Sequence, residues 1–233
     1  MNYRLYEKYS LMGFFGGVVL LISKLVATHM FNYDLESIVQ EQWINTPYWR
    51  FILSTLLGCA AIAFFLLGFY SLHMMIEDTI ESKIVEIIAT AAIFGIASVG
   101  VLNFISQCVL PIAFKAAIES GVAIDSATAM IEKMAENLEI VEVILTLFCD
   151  IEGVIAIYLV VSGKARLPLW AALLNPFVLN ILIEIAVKLT HHPYSGTVFA
   201  SLEGLGEGLT YLVTYMYFRK RRKEQENSSI EEA

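Results

Sequence analysis

Charge is scarce in this chain. Only 16% of its 233 residues are Asp, Glu, Lys or Arg, against about 25% in an ordinary soluble domain. No basic stripe with interleaved aromatics occurs, which argues against a nucleic-acid partner. The three cysteines, Cys59, Cys108 and Cys149, each lie inside an apolar run without a CxxC partner. Core packing is therefore expected of them, rather than metal or redox chemistry. Four histidines are present, but no HExxH or HxxxH spacing, so no metal site is expected. A nucleophile elbow, a Walker loop and haem or iron–sulfur spacings are also missing, and the sequence names no cofactor.

What is present is apolar. Hydrophobic residues make up 58% of the chain, in runs of about 20, the length at which a helix crosses a bilayer. The expected fold is all-α: an integral membrane bundle of six transmembrane helices forming one domain over residues 1–218. The spans are placed at Leu11–Met30, Arg50–Met74, Ile84–Leu110, Leu138–Val161, Leu167–Leu189 and Gly196–Phe218. Gly13–Val26 could serve as the core of a signal peptide. It contains Lys24, and Thr28–His29 follow it without a small-x-small cleavage site, so a retained span is expected. Residues 1–9 read as a short polar arm. Residues 219–233, RKRRKEQENSSIEEA, read as a disordered tail.

The bases indicate orientation. With both termini inside, Arg4, Lys8, Lys83, Lys164, Arg166 and the run Arg219–Lys223 fall on the inner side, and Arg50, Lys115, Lys133 and Lys188 on the outer. That asymmetry supports an N-in, C-in chain in the cell's inner membrane. Between the spans, residues 31–48 suggest a short surface helix followed by an Asn45-Thr-Pro-Tyr-Trp turn. Residues 114–138 suggest an amphipathic surface helix started at Asp125-Ser126. Gly13 and Gly17 form a GxxxG pair that permits close helix approach. His73 is expected to be a solvated histidine at the inner end of the second span.

Polar residues inside the spans carry the functional expectation, because intramembrane acids usually face a bundle interior or a wet cavity. Relative to Glu203, helical rotation places Glu207 at about 40°, Thr210 at about −20° and Thr214 at about 20°, one narrow stripe. Asn180 and Glu184 share a stripe with Lys188 and His191 on span five. Asp150 is favoured over Glu152 on span four, because the two point about 160° apart. Asn175-Pro176 predicts a kink in span five, with Asn175 bridging to a neighbour and another group satisfying the freed carbonyl. Glu203, Glu207, Glu184, Asp150, Asn180 and Asn175 are thus the candidate ligand-binding residues. The structural alternative for Glu203 and Glu207 is interhelical hydrogen bonding as protonated acids.

The stretch Leu167–Pro176, LPLWAALLNP, resembles a group of uncharacterised bacterial membrane proteins whose penultimate span follows a short basic loop with an LPxWxxxxNP pattern. The NTPYWRFILSTLLG stretch and the HP-x-SG turn at 192–196 are similar to the same group. The resemblance implies six helices and a bacterial inner membrane; it supplies no activity. Three functions are therefore open. The first is binding or transport of a small cationic or proton-coupled ligand in an acidic cavity, offset by Lys24 or Lys188. The second is an intramembrane enzyme on a lipid-like substrate, using His191 or His192. The third is a non-catalytic scaffold or partner subunit. All three have the lipid bilayer as partner and are compatible with a homo-oligomer.

Overall fold

Small residues set how closely the first and last long helices approach. A computed structural model describes residues 2–28, 39, 41–80, 104–175 and 195–231, with isolated positions at 83–84, 87, 90–91, 178–179, 181–182, 185–186 and 189. Among the described residues every regular element is helical. The long elements are α1 (Tyr3–Thr28), α2 (Tyr48–Thr79), α3 (Leu110–Glu119), α4 (Ile124–Val161) and α5 (Ser195–Glu231). Two of them, α1 and α2, are long and apolar enough to cross a membrane.

Helices α1 and α2 run antiparallel, Ser10 meeting Ser71 near one end and Ser23 meeting Ser54 near the other. Between those contacts, Gly13 faces Gly68. A Cβ built on Gly13 would lie 2.6 Å from the Gly68 Cα and 2.7 Å from the Tyr211 ring. Helix α5 also runs antiparallel to α1. A Cβ on its Gly208 would lie 3.0 Å from the Gly17 Cα. The expected GxxxG pair therefore serves two neighbours at once, Gly13 toward α2 and Gly17 toward α5. Tyr211 fills the junction, 1% exposed, with its ring 5.7 Å from Phe65 and 6.3 Å from Phe69.

The polar arm expected at residues 1–9 is part of α1. It is held there because Tyr3 and Tyr6 stack on Phe218, at 6.3 and 5.3 Å. Glu7 also accepts a 2.8 Å bond from Arg222 Nε. The tail read as disordered is helical to Glu231. Its composition is that of a disordered segment, but the bases are tied down. Arg221 bonds Asp78 Oδ2 through Nε and Nη2, both at 3.2 Å, and Tyr217 donates to the same oxygen. Arg222 spans Glu7 and Glu226. The hydrogen bond to Glu7, then that to Glu226, raises the Arg222 guanidinium above its ordinary value.

Pro111 does not end the helix that reaches it, whereas a third span is expected to stop there. Proline has no N–H to give the carbonyl four residues back, and its ring crowds that carbonyl. The chain widens into a π turn at Ile105–Val109 and continues as α3, with Pro111 in its first turn. After a turn through Gly121, at φ +89°, α4 runs unbroken for 38 residues, about 57 Å at 1.5 Å per residue. The surface helix expected within 114–138 is thus the end of α3 plus the start of α4. Ala127 and Ile131 there are fully buried beside Phe114, Trp43 and Phe51. The expected surface helix before α2 is a 3₁₀ turn at Glu41–Asn45 in its described part. Thr46–Pro47 then starts α2, as the NTPYW turn suggests.

His73 departs from expectation. It is 8% exposed, with Nε2 3.4 Å from Glu77 Oε1 and its ring 6.4 Å from that of Tyr70.

Candidate functional site

The stretch where a fifth span with a kink is expected does not begin as a continuous α-helix. Its start is a 3₁₀ turn, Leu169–Leu174, after which Asn175 is extended at φ −82° and ψ 138°. That is the conformation a following proline imposes, since its Cδ disfavours the helical region for the preceding residue. Helical hydrogen bonding resumes just beyond, where Leu179 N–H donates to Asn175 O at 2.9 Å. The break leaves the Leu174 carbonyl in need of a donor, and Thr210 on α5 supplies it, Oγ1 to O at 2.9 Å. Pro176 lacks the N–H that would reach the Ala172 carbonyl, so this bond satisfies a different carbonyl from the one the expected kink would free; its donor belongs to the Glu203-to-Thr214 stripe.

Asn175 is 3% exposed and Thr210 5%. Both border a cavity of about 10 Å³, with Leu72, Ala156, Val160 and Ala171 among its walls. That is room for one water at most, far short of the few hundred Å³ an organic ligand occupies.

One helical turn further along α5, Thr214 enters a buried knot of hydroxyls. Thr214 Oγ1 lies 2.9 Å from Ser10 Oγ and 3.3 Å from Ser71 Oγ, and Ser10 donates to Ser71 at 2.9 Å. Each hydroxyl also has a carbonyl on its own helix within reach: Tyr6 O at 2.8 Å, Gly68 O at 2.6 Å and Tyr211 O at 2.9 Å. All three residues are fully buried. Three protons thus have six acceptors, and every oxygen is satisfied in more than one arrangement.

The candidate residues divide by what the structure describes. Asn175 is placed at the break, beside Thr210. Asp150 lies on α4, and Glu203 and Glu207 lie on α5; their side chains are outside the described set. Glu184, Asn180, Lys188, His191 and His192 are outside the described residues altogether. Among the described residues no group of three His, Cys, Asp or Glu could hold a metal. Sequence reasoning missed Ser10, Ser71 and Tyr211. The signal available was a single small hydroxyl in each of two otherwise apolar turns, which is common in membrane helices.

The distribution of polarity in α1 and α2 is inverted relative to a soluble bundle. Ser10, Ser23, Ser54, Thr55 and Ser71 are at most 5% exposed, whereas Phe15, Ile22, Ile52 and Leu56 are between 46% and 62% exposed. The family is now identifiable. The chain belongs to DUF6796, a family of unknown function, matched over residues 1–221. The match takes in all five long helices as far as the Arg221 that bonds Asp78. No curated protein and no solved structure matches this chain.

Proposed function

We propose that this DUF6796 member is a six-span protein of the cell membrane, both termini cytoplasmic, that binds or transports a small cationic or proton-coupled ligand in an acidic intramembrane cavity. The observation that carries the membrane reading is the inverted polarity of α1 and α2. Large apolar side chains face outward around both helices while hydroxyls are packed inward. In water that arrangement would expose a continuous apolar surface; in lipid it is the low-energy one, since interior polar groups bind helices together.

The cavity reading rests on α5. Thr210 and Thr214 of the stripe are buried against the rest of the bundle, and α5 is continuously helical back to Ser195. By rotation the same stripe leads to positions 207 and 203. Glu203 and Glu207 would be the central ligand groups, completed by Glu184, Asp150, Asn180 and Asn175. Several acids gathered in such a site suit proton or cation coupling.

The test is a thermal melt of detergent-purified wild type and the Glu203→Gln/Glu207→Gln variant across monovalent, divalent and organic cations. A ligand at 100 times its dissociation constant adds about 2.7 kcal/mol to the folded state. A cation-dependent upward shift in the wild type, absent from the variant, is expected. No shift with any cation, and equal stability of the two proteins, removes the cavity reading.

A further inference from the structure

The strongest unassigned feature is a basic surface where α4 ends and α5 leaves the bundle. The loop after α4 is pinned in an unusual backbone, with Gly163 at φ +75° and Arg166 at φ +52°. Lys220 reaches across from α5 and donates to the Arg166 carbonyl at 2.7 Å. This contact gathers five exposed bases on two elements: Lys164, Arg166, Arg219, Lys220 and Lys223. The acids nearest along α5 and at the adjoining helix ends are engaged elsewhere. Asp78 and Glu224 pair with Arg221, and Glu7 and Glu226 pair with Arg222. The chain as a whole is acidic, at −8, yet among the described residues no acid is paired with these five bases.

What adjoins the bases is apolar and aromatic. Tyr158 is 52% exposed and lies under Lys164, whose Nζ is 5.1 Å from the ring centroid. Val161, Leu169 and Trp170 are each more than half exposed. Tyrosine and tryptophan at this level are the side chains that settle at a lipid headgroup boundary. Basic residues just beyond a span attract anionic headgroups.

We propose that this surface is a binding site for an anionic phospholipid. Its phosphate sits among Lys164, Arg166 and Lys223, and its acyl chains lie along Tyr158, Val161 and Trp170. The inference rests on the membrane reading above and not on the acidic cavity. Arg221 and Arg222 are excluded from the site, because their charges are already matched within the protein.

The experiment is native mass spectrometry of the full-length protein released from detergent with phosphatidylglycerol or phosphatidylcholine, at several concentrations of each. It compares wild type with Lys164→Gln/Arg166→Gln/Lys223→Gln, which keeps the Lys220–Arg166 carbonyl bond and the Arg219–Tyr215 contact. The wild type is expected to retain phosphatidylglycerol over phosphatidylcholine, and the triple variant to lose about tenfold or more of that preference. Equal retention of the two lipids by wild type, or an unchanged preference in the triple variant, overturns the proposal. Helical circular dichroism checks that the variant is folded. If it is not, the single Lys223→Gln variant, on an exposed residue, carries the comparison and is expected to lose part of the preference. Alkaline carbonate extraction of expressing cells separates the two levels. Protein that stays in the membrane but shows no preference defeats this site alone, and protein released into solution defeats the membrane reading with it.

Discussion

The α1–α2–α5 junction and the break at Asn175 both bury polar groups in apolar surroundings, but they hold them differently. At the junction, three hydroxyls share three carbonyls and one another, so no single bond is indispensable. At the break, the chain leaves the helical path before Pro176, and Thr210 donates to the Leu174 carbonyl. The junction has glycines in van der Waals contact and Tyr211 wedged among them. The break borders a small cavity instead. Three interlinked hydroxyls in the first region, against one Thr210 hydroxyl on the Leu174 carbonyl in the second, make the break the expected softer joint. Its donor, Thr210, lies on the helix that carries Glu203 and Glu207.

The largest effect tests the packing side of this contrast. Gly13→Val would place branched carbon where even a Cβ comes within 2.7 Å of both Gly68 and Tyr211. Neither neighbour can yield, one being backbone and the other a fully enclosed ring. Overpacking ordinarily costs about 1–3 kcal/mol, more where nothing relaxes, so this variant is expected at or above the top of that range. The check is its thermal midpoint in detergent beside that of Phe15→Val, an exposed α1 position expected to change little. A Gly13→Val protein as stable as wild type would mean that α1 and α2 do not meet at these glycines.

The intermediate effect tests the break. Thr210→Val keeps the shape and removes the donor to the part-buried Leu174 carbonyl, an unsatisfied acceptor costing up to about 1–3 kcal/mol. Thr210→Ser restores the hydroxyl and is expected to recover most of that loss. Local opening is the more specific readout: amide exchange at Leu169–Leu174 should accelerate in the valine variant and not in the serine variant. Exchange that is the same in both would show that the break is held by something other than this bond.

How much of this was legible beforehand depends on the kind of physics involved. The apolar runs foretold the long helices and the proline at 176 foretold a distortion beside Asn175, because both act over a few neighbouring residues. The GxxxG pair signalled close approach, but only the fold reveals that its two glycines serve different partners. The helical tail was hidden by composition. Arg221 and Arg222 look like solvated charge until Asp78 and Glu7, which are 143 and 215 positions away, are brought beside them. His73 was misjudged for the same reason: its surroundings come from tertiary packing rather than from its place near a span end. Ser10 and Ser71 gave no usable signal, since one hydroxyl in an apolar turn means little until a second helix presents another.

The smallest effect is the most discriminating. By burial and contact, Ser10 looks more important than Thr210: it is fully enclosed and touches two hydroxyls and a carbonyl. Yet Ser10→Ala leaves Ser71 and Thr214 within 3.3 Å of each other, each still able to donate to Gly68 O or Tyr211 O on its own helix. The Tyr6 carbonyl remains in the helical ladder. No oxygen is stranded, so the expected cost is about 0.6 kcal/mol, the average for an interhelical side-chain hydrogen bond in a membrane. Thr210→Val should therefore cost more than Ser10→Ala, although a tally of contacts ranks them the other way. Melts of the two single variants and the double decide it. The sites share no partner, so their effects should add within a few tenths of a kcal/mol. A Ser10→Ala loss equal to or above that of Thr210→Val would mean that the knot depends on one particular proton arrangement, and the redundancy ascribed to it would be wrong.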